Sequence, residues 1–233
     1  MNIILISLLA GLSSLIGFFI IFINIDYNKL LSISLSLSAG ILLGISIFDL
    51  LFESITLLNN YYLFFITFII TFLILFIINK KITINNKLYK TGIMTLISLI
   101  LHNIPEGILT FSSFNIDQKL GISVTISIIL HNIPEGIAIA VPIYYSTKSK
   151  IKAFFYTLIS SIAEPLGALI SILFLKEFIN NLSLGLLLSS ITGIMVYISI
   201  FKLLDESYSY NSNKQLLCFF IGILFIVIYN LIW

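Results

Sequence analysis

Long apolar segments are the feature that most constrains how this chain can fold. Eight of them can be counted, roughly over residues 2–24, 32–57, 61–78, 92–113, 120–145, 153–175, 184–204 and 215–233. Each is long enough to cross a hydrocarbon core of about 30 Å as an α-helix that rises about 1.5 Å per residue. Because unpaired sheet edges are not tolerated in lipid, helices are the expected structure. The sequence therefore predicts an all-α polytopic membrane protein with eight transmembrane helices and one domain over residues 1–233.

Charged residues are too scarce for a soluble protein. Only 9% of the 233 residues are charged and 59% are hydrophobic, whereas a soluble domain carries about 25% charged residues. The formal net charge of +2 is too small to indicate an anionic partner such as nucleic acid. The single cysteine, Cys218, allows neither an intrachain disulfide nor a cluster of thiolate ligands. These counts argue against a water-soluble enzyme, a disordered chain and a nucleic-acid binder.

Lysine placement predicts the orientation in the membrane. The connections after the first, third, fifth and seventh segments hold or adjoin ten lysines, whereas the other side holds Lys119 and Lys176. Lysines that only snorkel from helix ends would not produce this asymmetry. By the positive-inside rule, the lysine-rich connections face the cytoplasm. The expected location is the cell membrane (the inner or plasma membrane), as a multi-pass protein with both termini outside.

An octapeptide, Leu-His-Asn-Ile-Pro-Glu-Gly-Ile, occurs twice with a period of 29 residues. The copies are Leu101–Ile108 and Leu130–Ile137, and they contain the only two histidines of the chain. In a helix, a histidine and a glutamate four residues apart share a face. Each proline is expected to kink its helix and release the carbonyl four residues earlier. The glycine after each glutamate leaves room for a neighbouring helix.

The repeated histidines and glutamates indicate a metal site. A lone buried histidine or asparagine is more often a hydrogen-bonded packing residue than a ligand. Two glutamates near the middle of a membrane differ, because each costs about 2.5 kcal/mol or more to place there and the two repel one another if ionised. They are either protonated and paired, or they share a cation. A divalent cation would neutralise Glu106 and Glu135, and the neutral imidazoles of His102 and His131 would complete a nitrogen and oxygen site suited to zinc.

A third acid supports this interpretation. Glu164 lies in the middle of the sixth segment and is also followed by proline. Together with Asn103, Asn132 and the two shared glutamates, it could build a second, oxygen-rich site beside the first. The alternative is a protonated Glu164 that donates to a backbone carbonyl.

Two consecutive helices with His-Asn-x-Pro-Glu-Gly, followed by a Glu-Pro helix, resemble the ZIP (Zrt-, Irt-like) family of metal transporters. The bacterial GufA-type branch is the nearest group, and the resemblance covers essentially the whole chain. It implies a central binuclear metal site between helices 4, 5 and 6. The implied ligands are His102, Asn103, Glu106, His131, Asn132, Glu135 and Glu164. The His and Glu pairs would surround the first metal, and the asparagines and Glu164 would join the bridging glutamates at the second.

The same resemblance implies the substrate and the mechanism. Family members import divalent cations, often zinc and sometimes iron, manganese or cadmium. Their helices 1, 4, 5 and 6 slide against helices 2, 3, 7 and 8 as an elevator. Zinc is thus expected as substrate, with no organic cofactor and no nucleic acid. The expected partners are divalent metal ions and the lipid bilayer, and a homodimer is left open.

Two segments depart from the family pattern. Segment 2 keeps Asp49 and Glu53, but Phe52 replaces a proline that is common in relatives. The two acids are candidates for a vestibule site, and the alternative is that they simply face water at a helix end. Segment 7 has Phe201 and Lys202 where relatives often carry two acids. Because a lysine repels a dication, an exit role for this segment is not expected.

Three other functions compete with alternating-access uptake. One is a channel-like metal pore, the second is an intramembrane metal-dependent hydrolase, and the third is a metal sensor that transports nothing. A hydrolase needs an activated water and a general base at an open coordination position. The His-Glu-x-x-His pattern of many such enzymes is missing from this sequence. The sequence therefore predicts a transporter rather than an enzyme.

Overall fold

The computed structural model describes residues 2–24, 26–175, 178–210 and 214–232, and these residues contain helices and no strand. Eight helical segments follow one another in this part of the chain. They are α1 (Ile3–Phe22), α2 (Tyr27–Leu58), α3 (Tyr61–Lys81), α4 (Lys87–Ile116), α5 (Gln118–Thr147), α6 (Lys150–Leu175), α7 (Asn181–Ser207) and α8 (Gln215–Ile232). The first seven are long and apolar enough to cross a membrane, and α8 is a shorter apolar helix. The prediction of an all-α polytopic protein is confirmed.

Several helices begin before the apolar segments do, because polar residues cap them. The side chain of Asp26 accepts a hydrogen bond at 3.0 Å from the backbone N–H three residues later, and Asn86 does the same at 2.9 Å. Each such cap satisfies a backbone donor that the helix leaves free, which is worth about 1 kcal/mol. As a result, α2 starts at residue 27 instead of 32, and the connection expected over residues 79–91 shrinks to residues 82–86.

Irregular turns occur away from the repeated prolines. Pro105 and Pro134 lie inside helices α4 and α5 and do not end them. Instead, α2 contains a π-helical turn at Ser46–Leu50, which includes Asp49, and α7 contains one at Ser199–Leu204. Each such turn closes its hydrogen bond over one more residue than an α-helical turn does, and such turns are frequent at functional sites. Hydropathy gave no sign of either turn.

The helices pack in two groups. Helix α4 lies against α5 and α6, and α1 lies against both α5 and α6. In the second group, α2 packs on α8 and α7 packs on α3 and on the end of α2. Glycines bring backbones together inside the first group: a Cβ on Gly107 would meet the carbonyl of Glu164, and one on Gly167 would meet that of Ile104. This tight first group carries all seven expected ligands.

The lysine-rich connections lie at one end of the bundle. Lys87 at the start of α4 forms an ion pair with Asp205 near the end of α7, with 3.2 Å between Nζ and Oδ2. Lys148 after α5 places its ammonium 4.9 Å from the ring centre of Tyr27 at the start of α2. The Tyr27 ring also lies 5.8 Å from that of Tyr210, after α7. Residues from all four of these connections therefore meet, and we call this the basic end. Lys119 lies at the start of α5, at the opposite end, and Lys176 lies outside the described residues.

Candidate metal centre

A cavity of about 270 Å³ enters the bundle from the end opposite the basic end. Its walls come from α2, α4, α5, α7 and α8, and they include Asp49, Glu53 and Asn230. Glu106 and His131 also line it, deeper along α4 and α5. We call this cavity the vestibule. It connects the protein surface with the repeated motif.

The histidines and glutamates of the repeat form one cluster at the floor of the vestibule. Nε2 of His102 lies 3.1 Å from Oε1 of Glu106 and 3.0 Å from Oε1 of Glu135. Nε2 of His131 lies 2.5 Å from the same Oε1 of Glu106. Ligand atoms of His102, His131 and Glu135 all fall within 4.8 Å of one another. Donor atoms of a tetrahedral zinc site are separated by roughly 3.4 Å, given bonds of about 2.1 Å, so small side-chain rotations would suffice to surround one ion.

Burial makes this cluster costly without charge compensation. His102 and Glu135 are 1% exposed and Glu106 is 4% exposed. The side chain of His131 is 11% exposed, on the vestibule side. Carboxylates removed from water must be paired, protonated or bound to a cation. A dication shared by two carboxylates and two imidazoles meets that requirement.

The two asparagines of the repeat are held by their amide nitrogens. Nδ2 of Asn103 donates to the carbonyl of Ser160 on α6, at 3.1 Å. Nδ2 of Asn132 donates to the carbonyl of Ala10 on α1 and to Oε2 of Glu164, both at 3.0 Å. With the nitrogens engaged, each amide oxygen is left for another partner.

Six side-chain oxygens in or beside the His and Glu cluster are buried acceptors that accept no hydrogen bond from any residue that the structure describes. They are Oδ1 of Asn103, Oδ1 of Asn132, Oε2 of Glu106, Oε1 and Oε2 of Glu135, and Oε1 of Glu164. A buried acceptor without a donor costs about 1–3 kcal/mol. An all-acceptor set of carboxylate and amide oxygens is the environment that a hard or borderline cation prefers. The donor set fits the second, oxygen-rich site that the sequence predicted.

Asp49 and Glu53 belong to the vestibule and not to the buried cluster. Glu53 is exposed and Asp49 is half-buried, and both line the cavity above Glu106. The side-chain amide of Asn230 on α8 donates to Asp49. Asn230 was not predicted, because only the packing of α8 on α2 brings it there.

Lys202 turns away from the predicted ligands. Its ammonium donates to Oδ1 of Asn79 on α3, at 2.7 Å. The lysine therefore joins two helices of the second group. Its charge is used in a contact between α7 and α3, which sequence spacing could not indicate.

Comparison with known proteins places these features in a family. The family model described as "ZIP Zinc transporter" matches residues 84–230, which include all seven expected ligands. The chain is 40% identical to a protein named "Zinc transporter ZupT" from Oceanobacillus iheyensis, over 89% of this chain and 88% of the relative. It is 39% identical to the protein of that name from Streptococcus mutans, over 88% of this chain and 87% of the relative. A third, from Chlorobium limicola, is 51% identical over 54% of this chain and 48% of the relative. The chain therefore belongs to the ZIP zinc transporter family, as a multi-pass membrane protein.

Proposed function

We propose that this protein carries zinc across the membrane through the cluster at the floor of the vestibule. The observation that carries the proposal is the placement of His102, Glu106, His131 and Glu135 around one point at the end of an open cavity. Relatives of similar length are named zinc transporters. Membership of a transporter family also favours a transporter over the intramembrane hydrolase.

Each proposed ligand has a distinct role. The imidazoles of His102 and His131 favour borderline metals over calcium and magnesium, which prefer oxygen ligands alone. Glu106 and Glu135 neutralise the charge of the ion. Asn103, Asn132 and Glu164 supply oxygens for a second ion next to the first. Such mixed ligands without thiolates would also accept iron, manganese or cadmium, and they permit release as well as binding.

Movement of one helix group against the other would carry the ion inward. Helices α1, α4, α5 and α6 hold all the proposed ligands and interlock through glycines, as a rigid carrier requires. Helices α2, α3, α7 and α8 would form the static part. The residues that line the vestibule lie in the part of the bundle away from the basic end, which is the arrangement of an outward-facing transporter. All seven ligands come from one chain, so a homodimer is not required to complete the site, and we treat residues 1–233 as one transport domain.

The lysine asymmetry supports the direction of transport. With the basic end in the cytoplasm, the vestibule faces outside and so do both termini. We infer that the protein lies in the cell membrane and imports the ion.

Zinc influx into proteoliposomes loaded with a zinc-sensitive dye tests the proposal. We expect influx that saturates with zinc concentration and is inhibited by competing divalent metals. Influx that rises in proportion to zinc would indicate a channel-like pore. Tight zinc binding by folded protein without influx would indicate a sensor, and either result would overturn the proposal.

The vestibule acids are expected to attract the ion rather than to bind it during transport. Glu53→Gln combined with Asp49→Asn should raise the KM for zinc roughly two- to five-fold and leave kcat unchanged, because negative charge in a cavity raises the local cation concentration. The effect should shrink as ionic strength rises, since both side chains are within reach of solvent ions. Zinc influx measured at two salt concentrations would show this.

A matched control is Asp117→Asn. Asp117 lies at the same end, at the start of α5, and its side chain caps that helix, a role that asparagine also fills. It does not line the vestibule. An equal rise in KM for this control would show that net surface charge, and not the vestibule, causes the change.

A further inference from the structure

The basic end contains a buried carboxylate that none of the proposed ligand positions uses. Glu206 lies in the last turn of α7 and is 2% exposed. The hydroxyl of Thr91 on α4 donates to its Oε2 at 3.3 Å, and the Tyr210 hydroxyl donates to its Oε1 at 3.1 Å. Nζ of Lys87, at the start of α4, lies 3.7 Å from its Oε2. Glu206 therefore joins the first helix group to the second.

Lys87 extends the same contact towards solvent. Its ammonium lies 3.2 Å from Oδ2 of Asp205 and donates to the hydroxyl of Ser209 at 3.1 Å. The Lys87 and Asp205 side chains are 58% and 62% exposed, and an exposed pair of this kind contributes little. Glu206 is the partner whose charge is removed from water, so its contacts are the ones that are costly to break.

Aromatic rings continue the contact to α2 and α5. The ring centre of Tyr210 lies 5.8 Å from that of Tyr27 on α2, in an edge-on arrangement. Tyr27 in turn lies 5.0 Å from Tyr145 on α5, and the Lys148 ammonium lies 4.9 Å from the Tyr27 ring centre. Burial, and next the Glu206 carboxylate, raise the pKa of Tyr210 well above its ordinary value. The Tyr210 hydroxyl therefore stays protonated and remains a donor to Glu206.

These contacts join the two helix groups at one end only. They connect α4 and α5 with α2, α7 and the turn after α7. Towards the other end, the vestibule lies between part of α4 and α5 and part of α2 and α7. There α4 still packs on Asn181–Ile198 of α7, and Ser38 on α2 donates to the Pro134 carbonyl of α5. The polar and aromatic contacts of the basic end therefore hold the two groups together at the end opposite the vestibule.

We propose that Lys87, Thr91, Glu206 and Tyr210 form a latch that keeps the basic end closed and must break each time an ion leaves there. Glu206 is its central residue, because the other three all contact it. When the first group moves, Lys87 and Thr91 leave with α4, and Glu206 exchanges them for water. This inference rests on the proposed alternating-access transport, but its test needs no zinc flux.

Cysteine labelling at Thr95 tests the latch. Thr95 lies on α4 between Thr91 of the latch and His102, and it is 0% exposed. A Thr95→Cys variant in a Cys218→Ser background is treated with a membrane-impermeant maleimide that is added on the side of the basic end. We expect slow labelling with the latch intact. Labelling should be about five-fold faster or more with Glu206→Gln or Lys87→Gln. A five-fold rise in the fraction of protein whose basic end is open needs only a small change in the free energy of opening.

Lys90→Gln is the matched control. Lys90 lies one turn further along the same helix and forms no ion pair with a carboxylate among the described residues. The latch predicts an unchanged rate for it. Lys87 is exposed, so Lys87→Gln keeps the test valid if Glu206→Gln fails to fold. Equal rates in all proteins, or equal acceleration by Lys90→Gln, would overturn the latch. Faster labelling in the latch variants without zinc influx in the parent protein would instead overturn the proposed transport and leave the latch standing.

Discussion

Glu106→Ala is expected to abolish saturable zinc uptake. Oε1 of Glu106 contacts both imidazoles of the cluster, at 3.1 Å from His102 and 2.5 Å from His131. Its Oε2 is among the buried acceptors without a described donor. No other proposed ligand contacts both histidines. Its removal takes away one of the two charges that neutralise the ion and one of the two contacts that join α4 to α5 at the site. We expect a loss of about 100-fold or more, beyond what removal of a supporting residue around a metal site costs.

The measurement is initial zinc influx at saturating zinc, normalised to folded protein in the vesicles. Glu106→Gln is the informative partner, because it keeps the side-chain size and one carbonyl oxygen but removes the charge. We expect it to be inactive too, which would assign the loss to charge. Glu53→Gln removes a carboxylate from the same cavity and should keep its maximal rate. Influx near that of the parent protein in a folded Glu106→Ala variant would refute the ligand assignment.

The His and Glu cluster could be predicted because its geometry is local. His102 and Glu106 share one helical turn, as do His131 and Glu135, so residue spacing alone places each pair on one face. Two copies in adjacent segments then imply that the faces meet. The structure brings them together, with His102 of one copy contacting Glu135 of the other at 3.0 Å.

Contacts that orient the polar side chains of the site and the vestibule could not be predicted, because they join distant parts of the chain. Asn132 is held by the Ala10 carbonyl, which lies 122 positions away. A backbone carbonyl leaves no mark in a sequence, and α1 is almost uniformly apolar around it. Asp49 and Asn230 are 181 positions apart and meet only because α2 packs on α8. Helix starts were missed for a different reason: caps are polar residues, and a hydropathy pattern stops before them.

Helix α1 supports the site although its sequence is almost entirely apolar. It carries none of the proposed ligands, yet it supports the site through its backbone and through Ser14. Ser14 and Ser161 share a hydrogen bond of 2.5 Å that joins α1 to α6. Gly17 faces the carbonyl of Ile133 on α5. A helix whose sequence indicates only an apolar membrane span therefore holds the second, oxygen-rich site in place.

Gly136→Ala should test this support, because it adds one methyl group at the tightest approach of α1 to α5. A Cβ on Gly136 would meet the carbonyl oxygen and carbon of Ser14, and backbone atoms cannot rotate away as a flexible side chain can. Overpacking of this kind costs about 1–3 kcal/mol. The movement of α1 would also take the Ala10 carbonyl away from Asn132. We expect a lower unfolding temperature in detergent and at least about a ten-fold loss of zinc uptake.

Gly44→Ala on α2 is the control for this change, since its nearest neighbour would be the side chain of Ile226, at 3.0 Å. The nearest atom is the Cβ of Ile226, so α8 must shift by a few tenths of an ångström, but no backbone carbonyl is in the way and no proposed ligand lies on α2 or α8. Uptake and unfolding temperature should therefore stay close to those of the parent protein. If Gly136→Ala behaved like Gly44→Ala in both measurements, α1 would not be needed to hold the asparagine and glutamate oxygens in place. The metal centre would then depend on α4, α5 and α6 alone.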